Sequence, residues 1–234
     1  MSTKDKKRNI KANALKITMS WANTLKKVPC FILGNAPSLN NIDVNILKDY
    51  FTIGINRIFY KFDPTILMWQ DLDLWLKEKK KVRQTKAIKY CRLASDTEGD
   101  FYYFRLTGTD SRLTQTPSEL YGRGSSTAVA FQLAYALGCD PIVLVAIDCR
   151  KCKKTGNSDF YGNNPRHRPL TLPMCKKALK WIKDCKSGRT IINCSQNKVF
   201  ETKSLEEVVK SLGDEHKGDR EYWKKKLFRK INKY

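Results

Sequence analysis

The residues able to do chemistry in this 234-residue chain cluster where apolar runs stop. The run VPCFILG empties into Gly34, Asn35, Pro37 and Ser38; YFTIGIN ends on Asn56 and Arg57. PIVLVAID finishes on Asp148 and Arg150 follows, while Asn197 comes just after TIINCS. In GNAPSL the glycine lets the backbone come close to a ligand, Asn35 and Ser38 offer side-chain hydrogen bonds, and the next helix offers amides to a phosphate. An ordinary strand-to-helix turn uses the same residue types. The cluster is neither a Walker loop nor the dinucleotide GxGxxG. Ser125 and Ser126 open SSTAVAFQLAYALG, a capped helix start. His167 lies between Arg166 and Arg168 in DFYGNNPRHRP. A near-neutral pKa suits a histidine to take a proton from a hydroxyl, and flanking arginines lower that pKa. A surface histidine in a basic loop is the plainer alternative. Asp71 and Asp73 in WQDLDLW have the spacing with which paired carboxylates grip a divalent ion, though the motif is only three residues long. Cys149 and Cys152 make a CxxC, but no second CxxC or histidine pair completes a zinc site.

These groups need a frame, and the pattern predicts one. Short apolar strands alternate with helices such as SSTAVAFQLAYALG and KKALKWIKDC. That alternation implies a mostly parallel α/β sheet with helices on both faces, whose ligands bind beyond the carboxyl ends of the strands. A 41% hydrophobic content fills one sizeable core and leaves little room for two. The expected organisation is a basic helical arm over 1–28, with Ile10, Leu15, Met19 and Trp21 at roughly helical spacing. A Rossmann-like domain follows over 29–202, with 77–115 a polar, weakly periodic insertion apart from FYYFRL. A basic helical tail covers 203–234.

The net charge of +22, from 45 Lys and Arg against 23 Asp and Glu, points to an anionic partner: nucleic acid, glycan, membrane face or nucleotide phosphate. The excess gathers in the arm, in KEKKKVRQTKAIKYCR and in YWKKKLFRKINKY. Lys79, Lys80, Lys81 and Arg83, with Lys224, Lys225, Lys226, Arg229 and Lys230, interleave there with aromatic residues as on nucleic-acid-binding surfaces. No apolar run reaches bilayer length, the first residues lack the apolar core of a secretory signal, and most of the cysteines sit in apolar segments as reduced thiols do. A cytoplasmic protein is expected.

Four blocks in this order, CFILGNAPSL, TIGINRIF, GRGSSTAVAFQLAYALGCDPIVLVAID and IINCSQN, resemble the bacterial sialyltransferases that use a cytidine monophosphate sugar, with related phage proteins and hydroxymethylpterin pyrophosphokinases. The resemblance spans about residues 29–200. It implies that Asn35 and Asn56 hold the donor nucleotide, that Ser126 contacts its phosphate or sugar, and that Asp148 shares the same mouth. It also implies His167 as general base and Tyr161 steadying the leaving phosphate. Gly34, Ser38, Arg57, Ser125, Arg150 and Asn197 complete the expected donor site. Ala36 stands where the family commonly has glycine, and Cys149 and Arg150 replace its aromatic residues. The function expected is transfer of a sugar from a CMP- or UDP-type donor to a hydroxyl, with a modified base of phage DNA as one acceptor. Asp71 would be structural or contact ribose, and a divalent metal is the weaker use of Asp71 and Asp73. The alternatives are a magnesium-dependent pyrophosphokinase and a non-catalytic nucleic-acid-binding protein on the same fold.

Overall fold

Runs of β-branched, aromatic and leucine residues broken by Gly, Asn, Asp and Pro dictate short buried strands. The computed structural model describes residues 3–93, 101–108, 112–122, 124–163 and 171–229. Along them run α1 (Thr3–Ser20), β1 (Cys30–Leu33), β2 (Thr52–Ile55), β3 (Ile66–Trp69), α2 (Leu72–Gln84), β4 (Ile88–Arg92), β5 (Tyr102–Leu106), β6 (Glu119–Leu120), α3 (Ser126–Leu137), β7 (Ile142–Val145), α4 (Thr171–Asp184), β8 (Ile191–Cys194), α5 (Leu205–Leu212) and α6 (Arg220–Phe228). The eight strands form one sheet in the order β6-β5-β4-β3-β2-β1-β7-β8, and every pairing is parallel.

The central strands are buried at every position, as strands covered on both faces must be. Alternation along each strand divides the core in two. Ile32, Ile53, Met68 and Leu144 meet α3, α4 and α6 on one face. Phe31, Leu33, Leu67, Trp69 and Val143 meet Leu74, Trp75 and Val82 of α2, Leu205 and Val208 of α5, and Ala14 and Leu15 of α1 on the other. The expected sheet with helices on both faces is what the chain builds.

α3 begins and ends as its residues dictate. The Ser125 hydroxyl accepts from the Thr127 amide, and Gly138 closes the helix at φ 87°, where a side chain would be strained. The helix foreseen after Ser38 is two 3-10 turns, Pro37–Asn41 and Val44–Leu47, the second capped by Asp43.

Stretch 77–115 is no insertion: it supplies the second half of α2 and strands β4 and β5, both within the sheet. FYYFRL holds β5, as its pattern suggested, whereas Lys89 and Arg92 hid β4, whose Tyr90 and Cys91 are fully buried. The two termini are built into the core as well. Trp21 is fully buried and packs edge-on against Phe228, 5.6 Å between centroids, while Ile10 and Met19 of the expected stripe face outward. Trp223 of α6 packs against Phe51 at the amino end of β2, and Arg220 pairs with Asp63 at 3.0 Å. α6 therefore sits at the amino end of the sheet. Among the described residues, no helix is long and apolar enough to cross a membrane.

Candidate functional site

The chain leaves β1 toward β2 on one side, while β7 lies on the other, so the loops after β1 and β7 part at the carboxyl edge and leave a crevice. The parting is tightly specified. Gly34 donates its amide to Val145 O at 2.8 Å and Ala36 to Ala146 O at 3.1 Å. A β-carbon on Gly34 would lie 2.3 Å from Ala146 O, so only glycine lets these backbones approach. Asn56, Ala146 and Cys149 all take positive φ, 52° each, around this edge. Non-glycine residues hold that conformation only where their surroundings enforce it, and such places concentrate at functional sites.

Asp148 ties the loops together. Its carboxylate accepts from the Ser38 hydroxyl at 2.8 Å, the Ser38 amide at 3.3 Å and the Gln196 amide at 2.9 Å. Ser38 is thereby committed to the protein. Asn197 is committed too: it donates to Ile147 O and Asn193 Oδ1 and accepts from the amides of Val199 and Phe200.

Above this clamp opens a cleft of about 1110 Å³, lined from β1 and β2 by Gly34, Asn35, Asn56 and Arg57, and from the α3 side by Ser125 and Ser126. Asp71, Asp73, Arg92, Asp148 and Cys149 also reach it. Asn35 donates its amide nitrogen to Ile55 O at 2.7 Å, which aims its side-chain oxygen elsewhere. That oxygen and the side-chain oxygen of Asn56 are buried and have no protein partner. Each orphaned acceptor costs about 1–3 kcal/mol unless a donor arrives, and both of these belong to residues that line the cleft. Across from them, the first-turn amides of α3 have no intrahelical acceptors, and the helix dipole adds positive potential, which suits a phosphate. Ser126 Oγ accepts from Gln70 Nε2 at 2.8 Å at this same end.

Ser126→Ala should weaken CMP or UMP binding about two- to tenfold by calorimetry, one neutral hydrogen bond contributing about 0.5–1.5 kcal/mol net. The helix should keep its stability, since Ser125 provides the cap. Unchanged affinity would take Ser126 out of the site.

The remaining sequence candidates go to several places. Arg57 also borders a second cavity, of about 620 Å³, together with Tyr161 and Tyr60. Arg150 turns away to Gln196 Oε1 at 3.0 Å. Asp71 is exposed at the start of α2, and Asp73 lies 3.5 Å from Lys77. Among the described residues, no third His, Cys, Asp or Glu joins them in a metal-holding group. His167, Arg166 and Arg168 lie outside the described residues. His216 lies by Glu215, in the segment that reaches Tyr50 and Asp49 at the amino end of the sheet, away from the cleft.

The acceptor cations divide likewise. Lys79, Lys80, Lys81 and Arg83 ride on α2, Lys81 over the Tyr60 ring of the second cavity and Lys79 and Arg83 over Trp75, whereas Lys224, Lys225, Lys226 and Arg229 belong to the α6 end and Lys230 is outside the described residues.

Three site features escaped the sequence reading. Arg92 is an exposed cation closing β4, hidden in the supposed insertion. Gln70 supports Ser126 from the end of β3. Cys175 of α4 and Cys149 both stand as free thiols on the cleft wall, away from Cys152, which does not line it. The Cys149 contact, helped by the Thr127 and Ser125 hydroxyls, draws the Cys175 pKa down against its burial, and the same contact pushes Cys149 up.

No protein-family model matches the chain, and no curated protein does. Among solved structures, the MAf glycosyltransferase from Magnetospirillum magneticum AMB-1 superposes with a TM-score of 0.55 at 14% identity. The match covers 94% of this chain and 42% of that one, so this chain spans less than half of its neighbour's length. At that identity the two share a fold, and the Rossmann-like architecture expected from the sequence is shown.

Proposed function

We propose that the chain is a glycosyltransferase that takes a sugar from a CMP- or UDP-type donor and sets it on a hydroxyl acceptor. The observation that carries this reading is the pair of orphaned oxygens on Asn35 and Asn56, set opposite the amino end of α3 in a cleft at the switch point of the sheet. A base or ribose supplies the donors those oxygens lack, while the helix end, Ser126 and Arg92 receive the phosphate. Asp71 at the rim faces a ribose hydroxyl.

In the reaction, His167 takes the proton from the acceptor hydroxyl as its oxygen bonds to the anomeric carbon. The bond from that carbon to the phosphate oxygen breaks, and the nucleotide leaves with the electron pair. Positive potential at the α3 terminus and Arg92 stabilises that charge as it develops. The acceptor class favoured by the charge of +22 is nucleic acid.

A thermal-shift comparison tests the donor. CMP, UDP and their sugar conjugates at about a hundredfold excess over Kd should add about 2.7 kcal/mol, raising the midpoint by roughly 5–10 °C, with adenosine and guanosine nucleotides giving little. If only ATP stabilises the fold, and only with magnesium, the rim carboxylates Asp71 and Asp73 are serving pyrophosphate transfer and the glycosyl reading falls.

A further inference from the structure

The second cavity opens beside the donor cleft, and Arg57 belongs to both. Its other walls are three aromatic rings, Tyr60, Phe160 and Tyr161, with Lys61, the amides Asn40 and Asn163, and the carboxylate of Glu78. Tyr60 and Tyr161 lie 6.4 Å apart between centroids. Lys81 of α2 stands 4.0 Å over the Tyr60 ring and Arg57 5.7 Å over Tyr161.

The arrangement is preorganised. Glu78 accepts from Arg57 Nε at 3.0 Å and from the Tyr60 hydroxyl at 2.7 Å. Burial opposes the charge on Glu78, but these two hydrogen bonds outweigh it and hold its carboxyl below the usual range. Its negative charge is thus spent on fixing the wall, and the rings stay at the rim, Tyr60 being 40% exposed. Immediately beyond, α2 carries Lys77, Lys79, Lys80, Lys81 and Arg83 within two turns.

We propose that this cavity and α2 form a single-stranded nucleic-acid site, in which one unstacked base lies against the Tyr60 and Tyr161 wall and the flanking phosphates run along the α2 cations. Aromatic faces take any base, and a lysine- and arginine-rich flank takes the backbone, which is how sequence-tolerant single-strand sites are built. The shared Arg57 puts a base held there next to the donor cleft, which makes it the acceptor subsite. In that last respect the proposal rests on the transferase reading; as a binding site it does not.

The basic surface of α6 has no part in it. Trp223 and Arg220 anchor α6 at the amino end of the sheet, away from both cavities.

Fluorescence anisotropy with a labelled eight-nucleotide oligothymidylate, measured without any nucleotide sugar, tests the proposal. Tyr60→Ala should weaken binding about five- to a hundredfold, the range of one base-to-ring stack, and Tyr60→Phe, which keeps the ring, should restore most of it. The combination Lys77→Gln, Lys80→Gln should lower the slope of log affinity against log salt by about 1.4, roughly 0.7 for each single-strand phosphate contact. Lys224→Gln, Lys225→Gln and Lys226→Gln together should leave affinity and slope as they were. CMP or UMP binding, followed separately by calorimetry, should be equal in wild type and Tyr60→Ala, so a failure of the donor reading shows itself independently. Undiminished oligonucleotide binding in Tyr60→Ala, or a loss confined to the α6 variant, would overturn the proposal. So would an acidic oligosaccharide that binds the wild type tightly when the oligonucleotide does not.

Discussion

Gly34→Val should destabilise the fold by about 3 kcal/mol or more and remove nucleotide binding with it. Its β-carbon would lie 2.3 Å from Ala146 O and 2.8 Å from Ile147 Cγ1, and the first neighbour is backbone that cannot rotate away. Overpacking alone costs about 1–3 kcal/mol. Parting the two loops also strains the bonds from Gly34 to Val145 O and from Ala36 to Ala146 O, about 1 kcal/mol each. Gly34→Ala, tested alongside by urea unfolding, should show most of the loss, because the clash begins at the β-carbon. If Gly34→Ala lies within about half a kcal/mol of wild type, the close approach of β1 and β7 is not what fixes the cleft.

Asn35→Ala should fold and yet bind CMP or UMP some 30- to 150-fold more weakly. The loss sums the hydrogen bond to the side-chain oxygen, about 1 kcal/mol, and the cost of leaving the ligand's donor buried and unpaired, about 1–2 kcal/mol more. Stability without ligand should fall by no more than about 1 kcal/mol, because the lost bond to Ile55 O is offset by removal of the orphaned oxygen. Asn35→Asp separates the two halves of the side chain. It keeps an oxygen toward the cleft but sets another against Ile55 O at the present 2.7 Å, so it should unfold at lower urea than Asn35→Ala. Calorimetry showing the folded alanine variant within threefold of wild type would put the nucleotide elsewhere.

The strands that frame the cleft were legible because their residues are apolar on both sides: CFIL, TIGI, ILMW and IVLV admit little else. β4 was not, since in IKYCR Lys89 and Arg92 break the apolar run formed by the buried Ile88, Tyr90 and Cys91 and leave it with no clean alternation. Arg92 was lost with it. Asn35 and Asn56 were legible as residues closing strands, but that their oxygens stand without partners depends on Ile55 O and on the positive φ of Asn56, which only the fold reveals. Ser38 and Asn197 looked the same in sequence as Asn35. What distinguishes them is that Asp148, Asn193 and the 197–200 turn absorb their hydrogen bonds. Trp21 and Trp223 read as parts of basic extensions because the charges around them dominate any window, although both rings are buried.

Cys30 pairs with Ile142 and Leu33 with Val145, so the two strands that border the cleft come from opposite halves of the sequence. The chain must emerge through β7 before the crevice has a second wall, and this pairing closes a long loop at an entropic cost that local helices such as α3 do not bear. The binding site therefore cannot assemble during synthesis until β7 has been made. A ligand that bridges Asn35 and the end of α3 would brace this long-range junction, and so act on the lifetime of the folded chain as well as on its chemistry.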